Sequence, residues 1–527
     1  MRERDFMVPG RSVALAANAM AATSHPAATL AALDILRAGG NAIDAAIAAA
    51  ALQGVVDPHM TGVGGDVFAL YAPAGGPLVA FNGSGRAPAA AHPDRFAGMD
   101  AIPDASPHAV TVPGAVDAWC TLADRYGRIG LDRILAPAIA AAEGGFTITP
   151  RVALDWARYA GRVAAHPSSA ALFLPGGRAP VTGERIANPA LGATLRRIAA
   201  EGRAAFYEGA VADEIVAVLK ALGGLHEAGD FAAYRGLETA PISAPYRGHR
   251  LNECPPNGQG IAALLIARIL EGFDLGEGAL GEADRIHLLA EATKLAYRER
   301  DAILADPDAM TVSVDDVLAD TAIEAMRGRI AMDRAGEPAA LDIPDHRDTV
   351  FISVVDAGGN AVSFINSVFH AFGSGITAPR AGVLLHNRGA GFVLTPGHPN
   401  AIGPGKRPFH TIIPAMLTED GLPVMSFGVM GGQYQAVGHA AIMTGVVDRG
   451  FDVQMASDQP RSFFTEGALT LEPTVGMEVR AELARRGHTL KIADEPLGAC
   501  QAIMIDRARG VLWGASDHRK DGVALGY

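Results

Sequence analysis

The sequence predicts a mixed α/β protein in which helices pack on extended sheet. Two observations say so. Apolar periodicity is mostly helical through the first two-thirds of the chain and strand-like through the last third, with a polar stretch, RGRIAMDRAGEPAALDIPDHRD, between them. The composition, 49% hydrophobic and 19% charged, is that of a folded globular chain. At 527 residues the chain is too long for most single cores, but one large fused layer structure accommodates it.

Residues 25–56 read as two helices, the first stopped by Gly39-Gly40 and the second capped by Asn41. A glycine-rich loop, TGVGGD, then feeds a strand, and another strand follows near LVAFNG. Helix returns over 114–146 and 186–223. Near 245–273 a strand runs through a Pro/Gly turn into a helix, and 282–305 is one long helix. Strands are expected at 350–356, 361–367, 382–386, 411–417 and 423–428, then a helix over 433–449. Late strands are expected at 468–472, 500–506 and 510–515. There is no internal repeat.

Several function classes are disfavoured. A net charge of −13 argues against non-specific nucleic-acid binding. Cys120, Cys254 and Cys500 are too few and too far apart for a disulfide framework or a zinc cluster. The N-terminus has no continuous apolar run of a secretory signal, which favours the cytoplasm. The most apolar window, Asn41 to Val56, contains Asp44 and Gln53 and reads as a buried helix, not a membrane span. HRD at 346–348 has Ser353 where a kinase loop needs Asn, and GVGGDV at 62–67 precedes a strand where a dinucleotide fingerprint opens a helix.

The stretch HRDTVFISVVDAGGNAVSF, from His346 to Phe364, reads as a polar loop entering a β-hairpin. By local pattern alone, Thr349 is a β-branched residue at a strand start. A second reading is chemical. If the Thr349 hydroxyl attacks the Asp348 carbonyl, an ester forms, water cleaves it, and Thr349 becomes a new N-terminus. Its hydroxyl is then a nucleophile, and its α-amine, with an ordinary pKa of about 7.7–8.0, is a base.

The wider sequence favours the second reading. TVFISVVDAGGNAVS is similar to the cleavage-site pattern of the gamma-glutamyltranspeptidase family, a branch of the N-terminal nucleophile hydrolases. The resemblance runs nearly end to end. It takes in ILRAGGNAIDAAIAAAALQGVVDPHMTGVGGD, VPGAVDAW, YGRIGLDRILAPAIAAAEGGF, FYEGAVADEI, IHLLAEATKLAYRERD, AFGSGITAPRAGVLLHNR, GKRPFHTIIPAM, MGGQYQAVGH and GASDHRKDG.

The resemblance implies a four-layer α-β-β-α sandwich and autocleavage at Asp348–Thr349. Residues 1–348 would form a large subunit and 349–527 a small one, joined in a heterodimer that two copies can pair further. Thr349 aligns with the nucleophile, Ser367 with the family's second hydroxyl residue, and Gly431-Gly432 with the glycine pair whose amides form the oxyanion hole. No metal or organic cofactor is required. Where the family holds a substrate ammonium with acidic or amide residues, this chain has Arg388 and Gly391. Phe369 replaces a substrate-binding Asn, and His410-Thr411 replaces a Ser-Ser pair. A carboxylate-binding Arg falls at Ser84, with Arg86 two residues on.

These departures make the expected pocket cationic, through Arg388 and His410, and bulkier, through Phe369. They point to a small anionic amide without an α-amine. Oxamate, hydrolysed to oxalate and ammonia, fits that description, and GHPNAIGPGKRPFHTIIPAM resembles the oxamate amidohydrolase subgroup. A glutathione-type hydrolase or transpeptidase, an acylase for larger dicarboxyl side chains, and an uncleaved binding protein remain as alternatives.

Overall fold

The computed structural model describes residues 10–337 and 349–527. Two seven-stranded antiparallel sheets lie face to face. One runs, in spatial order, Val523–Gly526, Met20–Thr23, Val350–Val355, Ala361–Ser367, Asp66–Ala72, Val79–Gly83 and Leu237–Thr239. The other runs Ala14–Ala16, Val511–Ser516, Ala499–Asp506, Leu422–Met430, Ala415–Glu419, His249–Glu253 and Ile242–Tyr246.

Strand alternation sorts side chains into the layers. Along Val350–Val355, Ile352 and Val354 pack in a cluster with the helices Pro26–Arg37 and Ala42–Val56. Phe351 and Val355 point the other way and join Met416, Met430 and Ile503 between the sheets. On the second sheet, Ala415, Leu417, Phe427 and Val429 face the helices Gly260–Leu270, Glu282–Ile303 and Gln435–Val447. Three apolar seams thus separate four layers, helix, sheet, sheet and helix, as the resemblance implied. Each fully buried Val, Ile, Leu or Phe contributes about 1.5–3 kcal/mol.

The Ala42–Val56 helix is buried along its whole length. Its alanines let it approach closely, and Asn41 starts it with a capping box: the side chain accepts from the Ile43 and Asp44 amides, and the Asp44 carboxylate accepts from the Asn41 amide. Asp356, in the turn of the 350–367 hairpin, accepts from the Gly358 and Asn360 amides and also from the Ala42 amide at 2.9 Å. One turn residue therefore closes the hairpin and ties it to the helix beneath.

The helices expected over 25–56, 114–146, 186–223 and 282–305 are present, as is that at 433–449, within a few residues. The strand expected at 411–417 is displaced to Ala415–Glu419, because His410 instead makes a bridge to Gly258. That expected at 382–386 shrinks to Val383–Leu384. The division into helix-rich and strand-rich parts does not survive: both sheets interleave strands from before and after residue 348. No helix among the described residues is long and apolar enough to cross a membrane.

Candidate active site

Asp348 lies outside the described residues; Thr349 is the first one after them, fully buried, immediately ahead of the Val350–Val355 strand. Val350 pairs with Asn366, so Thr349 lies across from Ser367. The Thr349 Oγ1 donates to Ser367 Oγ at 3.2 Å, and Ser367 Oγ accepts from the Phe369 amide at 2.9 Å. The TGVGGD loop supports this corner. A Cβ on Gly65 would lie 2.4 Å from the Ser367 carbonyl oxygen, so only glycine lets the loop pass.

The facing sheet sets what lies opposite Thr349. Ser353 Oγ donates to Ser426 Oγ at 2.7 Å, and Phe351 packs against Gly428. Two residues back along one strand correspond to two forward along the other. The same register carries Thr349 toward Met430 and the Gly431-Gly432 turn that follows it. Gly431 has φ +118° and Gly432 φ +57°, conformations that favour glycine, and a Cβ on Gly431 would meet Gly498 Cα at 2.8 Å. The Gly431 carbonyl accepts from the Tyr434 amide at 3.0 Å. The amides of Gly431 and Gly432 have no acceptor among the described residues, as an oxyanion-binding pair requires.

Arg388 is buried, 1% exposed. Its Nη1 donates to Thr411 Oγ1 at 3.1 Å, its guanidinium lies 3.7 Å from the centre of the Phe369 ring, and its Nη2 has no partner. Among the described residues no carboxylate forms an ion pair with it. Burial pulls its pKa below the ordinary arginine range, and Asp66 only partly offsets this. Phe369 adopts φ +79°, an uncommon conformation for a bulky side chain and one that costs about 1–3 kcal/mol. Its ring is held between Arg388 and His370, whose ring centre is 4.5 Å away. His370 Nδ1 lies 2.9 Å from Asp104 Oδ2, which also takes Arg162 Nη2 at 2.6 Å.

His410 is not the cation the sequence suggested. Its Nδ1 accepts from the Ile412 amide, so its Nε2 donates to Asp66 Oδ2 at 3.0 Å. Burial and the nearby Arg388 pull its pKa to about 3 against the opposing pull of Asp66, so it is neutral. Asp66 itself is fully buried; burial favours its neutral form, but His386 and His410 outweigh that and hold it ionised. Its other oxygen accepts from the Gly85 and Gly114 amides, both at 3.1 Å. Asp66 went unnoticed in the sequence. A charged residue opening an entirely buried strand was the available signal.

The structure brings Thr349 together with Ser367, and Arg388 with Phe369 and Thr411. Arg86 is apart from them: its Nη1 donates to the Gly405 carbonyl at 2.7 Å and lies 3.6 Å from Asp306. One group could be imagined to hold a metal, His287, Glu291 and His488, with ligand atoms within 4.8 Å. There Lys294 already supplies the cation, 2.7 Å from Glu291, and the two histidines bond each other at 2.8 Å.

Residues 28–527 match the family model for gamma-glutamyltranspeptidase. The chain is 38% identical over 526 residues to the glutathione hydrolase-like YwrD proenzyme of Bacillus subtilis, covering 96% of this chain and 98% of that one. It is 36% identical over 523 residues to the oxamate amidohydrolase proenzyme of Klebsiella pneumoniae, covering 96% and 98%. Among solved structures, cephalosporin acylase from Bacillus halodurans superposes with a TM-score of 0.93 at 39% identity, covering 100% of this chain and 99% of that one. With the sandwich fold and matches that run the length of the chain, the chain is an enzyme of the gamma-glutamyltranspeptidase family.

Proposed function

We propose that this enzyme is a self-processing amidohydrolase that cuts itself at Asp348–Thr349 and then hydrolyses a small anionic amide of the oxamate type. The observation that carries the substrate class is Arg388, a buried guanidinium with an unpartnered Nη2 and no ion-pair partner among the described residues. A buried cation left in that state demands an anion. Asp66, the nearest counter-charge, is committed to His410 and two backbone amides and so is not free to receive a substrate ammonium. Phe369 narrows the space beside Arg388, which favours a short substrate.

In the mechanism, the freed α-amine of Thr349 takes the hydroxyl proton as Oγ1 attacks the amide carbon. The Gly431 and Gly432 amides receive the oxyanion. The amine returns the proton to the leaving nitrogen, ammonia departs, and water hydrolyses the acyl-threonine. Ser367 orients the Thr349 hydroxyl throughout. The large part, residues 1–348, supplies Asp66; the small part, 349–527, supplies Thr349, Arg388 and the glycine turn.

The test is a denaturing gel together with ammonia release from oxamate, succinamate and glutamine and cysteinylglycine release from glutathione. Wild type should give two bands, the smaller beginning at Thr349, and release ammonia fastest from oxamate or succinamate. Thr349→Ala should stay a single inactive band. Turnover of glutathione alone would sink the anionic-amide reading, and cleavage at 348 in Thr349→Ala would sink the mechanism.

A further inference from the structure

The carbonyl of Gly432 is held by a side chain from a distant part of the chain. Gln259 is fully buried, and its Nε2 donates both to the Gly432 carbonyl at 3.0 Å and to the Thr411 carbonyl at 2.7 Å. Its Oε1 accepts from Arg300 Nη1 at 2.7 Å. Arginine only donates, so Arg300 decides which end of the Gln259 amide is oxygen and leaves the nitrogen facing the two carbonyls. The same Nη1 donates to Gln433 Oε1 at 2.6 Å. Arg300 is fully buried, with its Nε on Asp301 at 2.7 Å and its guanidinium 3.9 Å from the centre of the Tyr297 ring.

We propose that Gln259, locked by Arg300, is a positioning residue that presets the oxyanion-binding turn. This rests on the reading of Gly431-Gly432 and Arg388 given above. The physical reason lies in the peptide planes. In a trans peptide the carbonyl and the next N–H point opposite ways. Tyr434, taking the Gly431 carbonyl, aims the Gly432 N–H; Gln259 joins the Gln435 amide on the Gly432 carbonyl, and the two donors together restrain ψ of a residue that has no side chain of its own. Donors fixed before the charge develops need no reorganisation when it appears. Gln259 and Arg300 precede residue 348, whereas Thr411 and Gly432 follow it, so each part of the processed enzyme supplies half of the arrangement.

The experiment compares Gln259→Met, Gln259→Glu and Arg300→Lys with wild type, Arg388→Met and Gly431→Ala. Glu keeps the size of Gln and still accepts from Arg300, but offers no N–H to the two carbonyls. Self-processing is read on a gel, folding by Tm, and kcat and KM with oxamate as probe, or succinamate if it is the faster substrate. The Gln259 variants and Arg300→Lys should lower kcat by about 10- to 100-fold, with KM within about threefold, because the Arg388–Thr411 hydroxyl contact remains. Arg388→Met should show the reverse split. Processed Gln259→Glu with native Tm and kcat within about twofold of wild type would overturn the proposal. If Gln259→Met does not fold, Gln259→Glu and Arg300→Lys decide the matter on the same criterion. If Arg388→Met and Gly431→Ala are themselves silent, the reading of the site fails. If they respond and Gln259 does not, only the positioning role falls.

Discussion

Replacing Arg388 by Met removes the buried charge while keeping a flexible apolar stem against Phe369. In the proposed complex the unpartnered Nη2 and one further N–H meet the substrate carboxylate. Hydrogen bonds to charged groups contribute about 1.5–3 kcal/mol each, so two of them amount to about 3–6 kcal/mol. Coulomb's law at about 4 Å and an effective dielectric of about 20 gives about 4 kcal/mol for the same pair. Taking about 3 kcal/mol as the floor, kcat/KM for oxamate should fall about 100-fold, mainly through KM. Stability should move the other way. Substituting an apolar side chain for a buried charge without an ion partner is neutral or stabilising, so Tm should hold or rise. Ammonia release measured by a coupled assay, with differential scanning calorimetry on the same samples, reads both quantities. A KM within about threefold of wild type, or a marked fall in Tm, would show that Arg388 is a structural residue and refute the argument.

Three further outcomes are expected. Gly431→Ala places a Cβ 2.8 Å from Gly498 Cα at φ +118°, so kcat should drop about 100-fold while the protein still folds; unchanged kcat in steady-state assays would remove this turn from the mechanism. Ser367→Ala deprives both the Thr349 hydroxyl and the Phe369 amide of a partner, and should slow turnover and self-processing together; a normal processing rate on a time-course gel would contradict that. Burial pulls His226 to about 4 and His410 to about 3 in the folded state. Stability present above the unfolded histidine value of about 6.5 is therefore lost as pH falls toward those values, at up to about 1.4 kcal/mol per pH unit for each. Tm should decline from pH 6.5 to 4.5, less steeply in His226→Gln, which retains a donor for the Val110 carbonyl 2.9 Å away; equal slopes would count against this assignment.

Local signals served well where one segment carries its own instruction. Asn41 with Asp44, and Asp356 with Gly359 and Asn360, announce a cap and a turn because the bonds they make are within four residues. The membership of the sheets was not legible, since Met20–Thr23 is too short to register as a strand and owes its conformation to Val523–Gly526 and Val350–Val355 on either side. The site divides in the same way. Thr349, Ser367 and the glycine pair could be placed by resemblance, whereas the neutrality of His410 comes from its burial and from Arg388, against the pull of Asp66, 344 residues away in sequence. Gln259 and Arg300 were not singled out, although Arg300 lies in the matching stretch IHLLAEATKLAYRERD, because their importance comes from carbonyl groups that no sequence pattern marks.

The threading of the sheets also bears on biosynthesis. The Met20–Thr23 strand leaves the ribosome early but is completed by Val350–Val355 on one edge and Val523–Gly526 on the other. At about 5–20 residues per second of synthesis, its inner neighbour arrives tens of seconds later and its outer neighbour later still. Until then the early strand has two open edges, the state most prone to pair with the wrong chain. The nascent chain should therefore depend on chaperones for most of its translation. The corner that seats Thr349 cannot close until Ser367 and Phe369 have been made, so the timing of assembly is itself a safeguard against a nucleophile released too soon.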